Sequence, residues 1–477
     1  MSFEFERFSS PEEAGVSSAM LLRFLDEMEK CQDTVQLHSV ILLRHGKKVM
    51  TLNRSPFDEV MPHTMFSLSK SFTSLAAGFA VREGLLRWDT SVTEILPEEI
   101  DCARMDELRP VTLDALLCMG SGLDPESDRP SPDPQKSWAS YVLSHRVLYP
   151  PKTHFHYNTF GTYLVSCMIQ KVTGQTVRDY LIPRLFEPLD MGVPDWDLSP
   201  EGVCCGGFGL HLSCENIARF GQCLLQHGVW QGKQVMPEGW VQLATREHIA
   251  NYEGAPQHGN EWAQGYGYQF WRCMDGRYRG DGAFGQVCMI DEKRDAVLAV
   301  TCGTNDMGAE YALFRDYLFP AFDAEAANPE MQQRFRSRIT GLPLPWPRDD
   351  GSARSLPEGR YILNTEEGMF DVSFSPAEGE YIPFTIGGEA GLRILLGCGA
   401  PGPAAEFSYY SEVRRFLGAY GWKEGKLQVT LRCTGGPDTL QGEFSWTEER
   451  LLFDGLGMCM PGGHLELVKG GLYDGQP

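Results

Sequence analysis

Ser67 and Lys70 stand three residues apart, as Ser67-Leu68-Ser69-Lys70, where apolar residues begin to recur at Phe72, Leu75, Ala76, Phe79 and Ala80. Those intervals are helical and Gly84 is placed to end the run, so the spacing predicts a helix over 66–86 with both side chains on one face. A serine hydroxyl is a poor nucleophile until a base removes its proton. A lysine amine desolvated at a helix start can be that base, because burial disfavours its charged form. The N–H groups of the same helix start put positive potential where an oxyanion would form. The spacing alone arises by chance about once in a chain this long, and a solvated lysine beside a helix cap would look the same.

A second constellation is Phe155-His156-Tyr157-Asn158-Thr159-Phe160-Gly161, directly before a predicted helix over 162–172. A phenol delivered there could relay a proton between a lysine and a leaving group. An aromatic packed at a helix start is the competing reading. His154 and His156 could share a strand face, but no carboxylate or third histidine at ligand spacing accompanies them, so no metal is expected. A third stretch, Gly280-Asp281-Gly282-Ala283-Phe284-Gly285, spells G-x-G-x-x-G. The dinucleotide fingerprint follows a strand and opens a helix, whereas this one leads into the strand-like run 286–290, so no nucleotide cofactor is expected. The glycines fit a close backbone approach along a strand, with an N–H aimed into a pocket. No G-x-S-x-G pentapeptide occurs in the chain.

The elements that must position these residues can be read from hydrophobic period. An amphipathic helix over 18–30 precedes two strands, 38–44 and 47–52, joined at His45-Gly46. From 86 to 200, short helical patterns alternate with loops rich in Pro, Asp and Ser, such as 124–135. Helices over 217–226 and 237–244 follow, then strand-like runs at 267–272, 284–290 and 296–301 and a closing helix over 309–322. Early and late strands around a helical middle imply one sheet, hence one α/β (α+β) unit over 1–340: an antiparallel sheet flanked by helices, with a helical subdomain. Residues 341–351 form a stiff proline-rich connector. Short strands and glycine turns over 352–477 read as a small antiparallel β domain, a sandwich or a lipocalin-like barrel.

Composition narrows the class of partner. The chain has 477 residues, 42% hydrophobic and 11% aromatic, enough for a sizeable core. With 42 basic and 64 acidic side chains its formal net charge is −22, which repels nucleic-acid phosphates and anionic lipid surfaces. Neither nucleic acid nor membrane is an expected partner. Fourteen scattered cysteines, without a C-x-x-C pair, read as reduced and mostly buried thiols. Together with a polar N-terminus they point to a cytoplasmic address.

The three stretches in this order, with Gly161-Thr-Tyr-Leu-Val-Ser166, Val172-Thr-Gly174, Gly207-Phe-Gly-Leu-His-Leu-Ser213 and Ala218-Arg-Phe220 between the second and third, resemble the serine β-lactamase-related, penicillin-binding-protein-like superfamily. The similarity spans about residues 8–325 and favours the branch that holds class C β-lactamases and family VIII carboxylesterases. It implies that Ser67 is acylated, that Lys70 takes its proton and that Tyr157 relays protons. It also implies an oxyanion hole of the Ser67 and Ala283 N–H groups, and substrate contacts at Asn158, Thr159, Gly280, Asp281 and Gly282. Two departures stand out. The family's Tyr-x-Asn is here Tyr157-Asn158-Thr159, so either Thr159 or Asn158 takes the amide's place. The third motif lacks its usual cation, which disfavours substrates read through a free carboxylate; Arg279 and His211 are the candidates to replace it. The implied function is hydrolysis of a small-molecule ester, amide or short peptide, of carboxylesterase, amidase or D-amino-acid peptidase type, without metal or other cofactor. A catalytically idle binding or assembly protein and a true β-lactamase are the alternatives. The C-terminal β domain of such proteins covers the cleft or mediates association, so a homo-oligomer is a further expectation.

Overall fold

The computed structural model describes residues 3–323, 328–357, 359–365, 368–387, 391–409, 412–458 and 462–469. Residues 470–477, the end of the expected C-terminal unit, lie outside the described residues. Strands β1 (Val35–Arg44), β2 (Lys47–Asn53), β3 (Trp271–Arg272), β4 (Tyr278–Gly282), β5 (Gln286–Asp291) and β6 (Ala296–Thr304) form one antiparallel sheet in the order β2-β1-β6-β5-β4-β3. The first and last strands of the unit therefore meet at its centre, Val40 opposite Val300 and Leu42 opposite Leu298. Side chains alternate across the pleat, and the two sets enter two cores. Ile41, Leu43, Cys288, Ile290, Val297 and Ala299 join one; Val40, Leu42, Val287, Met289, Leu298 and Val300 join the other. With both faces covered, these strands read as near-continuous apolar runs rather than as alternation.

The second core is closed by α1 (Ser18–Lys30), capped by the Ser17 side chain, together with the helical turns of 307–323. The first core carries the helical subdomain: α2 (Ser69–Arg82), α3 (Thr159–Thr173) and α4 (Cys214–Leu225). Three sequence expectations shift at this level. The helix predicted over 66–86 is a tight turn over Phe66–Leu68 followed by α2, because Phe66 sits at φ 45° and interrupts the helical path. The strand expected over 267–272 shrinks to β3, since Ser71 and Ser74 of α2 hold the Gln269 and Tyr268 carbonyls and draw that segment into loop. The closing helix starts at Met307, where the Asp306 carboxylate accepts from the Ala309 N–H, so α5 (Met307–Leu313) begins two residues early.

The C-terminal β region is a closed barrel, deciding between the two architectures expected for it. Strands β7 (Gly359–Thr365), β8 (Gly368–Phe374), β9 (Ile382–Ile386), β10 (Leu392–Cys398), β11 (Ala405–Tyr409), β12 (Glu412–Lys423), β13 (Lys426–Cys433), β14 (Thr439–Trp446), β15 (Arg450–Met458) and β16 (Gly463–Lys469) follow the order β10-β9-β8-β7-β16-β15-β14-β13-β12-β11. The long β12 closes the ring: its first half pairs with β11, and its second half pairs in parallel with β10 at Gly397–Ala419. Closure removes free sheet edges and leaves an interior filled by side chains such as Phe384, Ile394, Val429 and Phe453. The connector is pinned at both ends, Leu344 N–H to the Ser55 carbonyl at 3.0 Å and the Asp350 carboxylate to the Glu424 N–H at 2.8 Å. The barrel is thereby fixed against the sheet, with Thr64 N–H donating to the Gly435 carbonyl at 2.9 Å and Asn305 Nδ2 to the Gly457 carbonyl at 2.8 Å. Among the described residues, no helix is long and apolar enough to cross a membrane.

Candidate active site

Helix α2 is more polar on its buried face than its period suggests, and each buried hydroxyl has a task. Ser69 accepts from the Leu210 N–H, while Thr73, Ser71 and Ser74 donate to the Gly206, Gln269 and Tyr268 carbonyls. These bonds staple two loops to the turn that carries Ser67. Gly207 lies in one of them, and a Cβ there would meet the Thr159 carbonyl oxygen at 2.6 Å, so only glycine lets that loop reach the start of α3.

Lys70 is 1% exposed. Its Nζ lies 2.9 Å from Ser67 Oγ, 2.8 Å from the Gly207 carbonyl and 3.3 Å from Thr159 Oγ1. Desolvation lowers its pKa to about 7, against an opposing pull from the Asp128 and Asp281 carboxylates. A neutral amine has two N–H donors and one lone pair. The two donors match Gly207 and Thr159, leaving the lone pair for the Ser67 hydroxyl proton.

Tyr157 arrives on the loop before α3 and stacks on Trp271, ring centroids 5.5 Å apart at 10°. Lys70 Nζ sits 4.8 Å from its ring centroid, and its phenol hydrogen-bonds to the Ser67 side chain. Burial raises its pKa, so the phenol stays protonated near neutrality. Thr159 faces Lys70, whereas Asn158 does not enter the cleft. Its Nδ2 donates to Ser127 Oγ at 2.7 Å and its Oδ1 accepts the Gly161 N–H at 2.7 Å, capping α3. Of the two residues offered for the amide's place, Thr159 is the one whose side chain lies beside Lys70.

Strand β4 approaches from the other side. A Cβ at Gly280 would lie 2.5 Å from Ser71 Oγ, and one at Gly282 would lie 2.1 Å from the Met65 carbonyl. Both glycines are spent on this approach, and Ala283, next along the chain, is exposed. A lysine at 280 has no room. Asp281 points to the opposite face, where its Oδ2 accepts from Arg279 Nε at 2.9 Å and from the Tyr311 hydroxyl at 3.0 Å. Arg279 is 0% exposed, and His211 pairs with Asp197 at 3.7 Å. Arg279 thus stays sealed beneath the strand, and His211 holds a carboxylate of this chain. His154 stacks on Tyr149 and, with His156, joins no metal-ligating cluster among the described residues.

Sequence reasoning missed Phe66 and Phe284. Both are non-glycine residues with positive φ, 45° and 63°, one before Ser67 and the other after Ala283, and their rings meet at 5.1 Å. Such backbone costs about 1–3 kcal/mol per residue and persists only where surroundings impose it. A cavity of about 700 Å³ opens beside Phe66, lined from the N-terminal unit by Trp138, Phe160 and Phe208 and from the barrel by Ile386, Leu392, Phe407 and Phe416. Its basic side chain is a barrel residue, Arg414, held by Asp438 at 2.9 Å.

A family model described as Beta-lactamase matches residues 32–318, more than half of the 477. The chain belongs to the β-lactamase family of serine hydrolases. Among its relatives, a 6-aminohexanoate-dimer hydrolase of Paenarthrobacter ureafaciens is 23% identical over 318 residues, 61% of this chain and 78% of the relative. Penicillin-binding protein 4 of Amycolatopsis lactamdurans is 24% identical over 252 residues, 46% of this chain and 65% of the relative. Two solved structures share the fold at a TM-score of 0.51. One is EstCE1, titled a hydrolase with promiscuous acyltransferase activity, at 15% identity over 63% of this chain and 99% of that one. The other is SurE, at 16% identity over 90% of this chain and 99% of that one, a span that reaches into the barrel.

Proposed function

We propose that this β-lactamase-family member cleaves an ester or amide through an acyl-enzyme on Ser67, and that its substrate carries a bulky apolar group and needs no free carboxylate. The observation that carries the reading is the buried Lys70 amine, 2.9 Å from Ser67 Oγ with its pKa lowered to about 7. A lysine so placed is half neutral at neutral pH and accepts the hydroxyl proton as Oγ attacks the substrate carbonyl carbon. The developing oxyanion lies against the Ser67 and Ala283 N–H groups. Tyr157, a protonated phenol beside Ser67, donates its proton to the departing oxygen or nitrogen as that bond breaks and regains one from Lys70 by way of the Ser67 oxygen. Water then attacks the acyl carbon, gives a proton back through the same pair, and Ser67 leaves.

The substrate class follows from the walls. Arg279 and His211 are tied to carboxylates of the chain itself, so neither cation offered in place of the missing one is open to a substrate carboxylate. The aromatic cavity between Phe66 and the barrel suits an acyl or aryl group instead. Steady hydrolysis of p-nitrophenyl esters, faster for octanoate than for acetate and lost in Ser67→Ala, tests the reading. Equal rates for wild type and Ser67→Ala would overturn it.

A further inference from the structure

The seam between sheet and barrel buries two guanidiniums. Arg54, just after β2, is 1% exposed and Arg432, on β13, is 0% exposed. Neither lies within ion-pair distance of a carboxylate among the described residues. Arg54 donates from Nε to the Leu342 carbonyl at 3.1 Å and from Nη2 to Gln32 Oε1 at 3.0 Å. Arg432 donates from Nη2 to Gln441 Oε1 at 3.1 Å, and its guanidinium lies 4.6 Å from the Trp346 ring centroid. Among the described residues, Arg54 Nη1 and Arg432 Nε and Nη1 have no partner, and the nearby Thr439 hydroxyl, opposite Arg432 in the β13–β14 register, has none either.

The two charges share one cluster. Gln441 joins Arg432 to Gln36 Nε2 at 3.2 Å, and the Arg54 N–H donates to the His38 carbonyl at 2.9 Å, two residues along β1. Among the described residues no carboxylate compensates either charge. The thiols of Cys31 and Cys302 near Arg54 are held neutral by burial, which raises both. Burial, and then the charge of Arg54, pushes the Arg432 pKa down to about 9, still charged at neutral pH. Nor do the buried histidines add donors: burial drives His63 down to about 4 and His38 well below its ordinary value. His63 Nδ1 must donate to the Thr64 carbonyl, so its Nε2 accepts from His38 Nδ1 and His38 Nε2 is left a lone pair. The donors at the seam are therefore the guanidinium N–H groups and one hydroxyl. The interior is tight: a Cβ at Gly303 would lie 3.2 Å from both His38 Nε2 and Met458 Sδ.

We propose that Arg54 and Arg432 bind a small inorganic anion of the halide class between them, cementing the barrel to the sheet. Removing a charge from water without a counter-charge is among the most unfavourable events in folding, and a guanidinium cannot shed its proton to avoid it. An anion that binds only the folded chain stabilises it by mass action.

The test uses the full chain. Crystals soaked in sodium bromide are expected to show an anomalous peak at the seam, within hydrogen-bonding reach of the Arg54 and Arg432 guanidiniums. In solution, the melting temperature is expected to be at least about 2 °C higher in sodium chloride than in sodium gluconate of equal ionic strength, a difference lost in Arg432→Met and in Arg54→Met. No bromide peak at the seam, or a peak without a chloride-specific rise in melting temperature (an adventitious ion only), overturns the proposal. The soak needs no variant, so a misfolded Arg432→Met does not leave it undecided.

Discussion

Lys70 and Arg432 are sealed from solvent to the same degree, at 1% and 0% exposure, yet their surroundings treat the charge in opposite ways. Around Lys70, three oxygens are set so that either protonation state is satisfied, and desolvation lowers the amine's pKa to about 7. Around Arg432, Gln441 and the Trp346 ring approach, and two of three guanidinium nitrogens are unpartnered among the described residues. A buried amine relieves its desolvation by giving up a proton, and that release is what makes it a base. A buried guanidinium has no such exit, and our proposal gives it a counter-charge from solution. On the two proposals, the same burial would produce reactivity in one place and a binding demand in the other.

The largest expected effect separates the two regions outright. Ser67→Ala should lower ester hydrolysis by at least about 10³-fold while leaving the chloride-dependent melting shift intact. Lys70→Met should lose activity on a similar scale and yet stabilise the fold. The sign follows from the pKa: the amine titrates near 7 in the fold against 10.5 unfolded, so the unfolded chain binds the extra proton first as pH falls. Wild-type stability therefore declines from about pH 10 down to 7 and is level below. Lys70→Met removes that penalty, a gain of roughly 1–4 kcal/mol at pH 7 after the loss of its hydrogen bonds, readable by urea titration at pH 10 and pH 7.

A smaller effect comes from pH itself. Because Lys70 must be neutral to act, kcat/KM should fall tenfold per unit below about pH 7, to about a hundredth at pH 5, and flatten above pH 8. A flat profile down to pH 5 would remove Lys70 as the base. The mildest test concerns the cavity wall. Phe208→Ala on the hydrolase side and Phe407→Ala on the barrel should each cut kcat/KM for the octanoate ester about tenfold and leave acetate within about twofold. A loss confined to Phe208→Ala would detach the barrel from substrate binding.

Much of the site was legible because its chemistry is local. Ser67 and Lys70 share one helical turn, and the glycines of 280–282 announce a close approach whatever they approach. The fold class was legible from the order of strand-like and helix-like runs, and a small antiparallel β domain from its turns, but not its closure into a barrel. What escaped depends on distant residues. Asn158 matches a family amide by name, but its capping role is fixed by Ser127 and the Gly161 N–H. The positive φ of Phe66 and Phe284 is imposed by packing across the cleft, with no local residue preference to betray it. Arg279 sits one residue from the third motif, but the strand's pleat, with period two, turns it away from the cleft. Nothing in the sequence pairs Arg54 with Arg432, since 378 positions and a change of domain lie between them.

The central claim is that the hydroxyl at 67 is the group that is acylated. Incubation with a fluorophosphonate probe at pH 8, followed by proteolysis and mass spectrometry, reads this directly. The account predicts one modified peptide, containing Ser67, with labelling slowed at least about a hundredfold in Lys70→Met. Stable modification of a different residue, or undiminished labelling in Ser67→Ala, would contradict it.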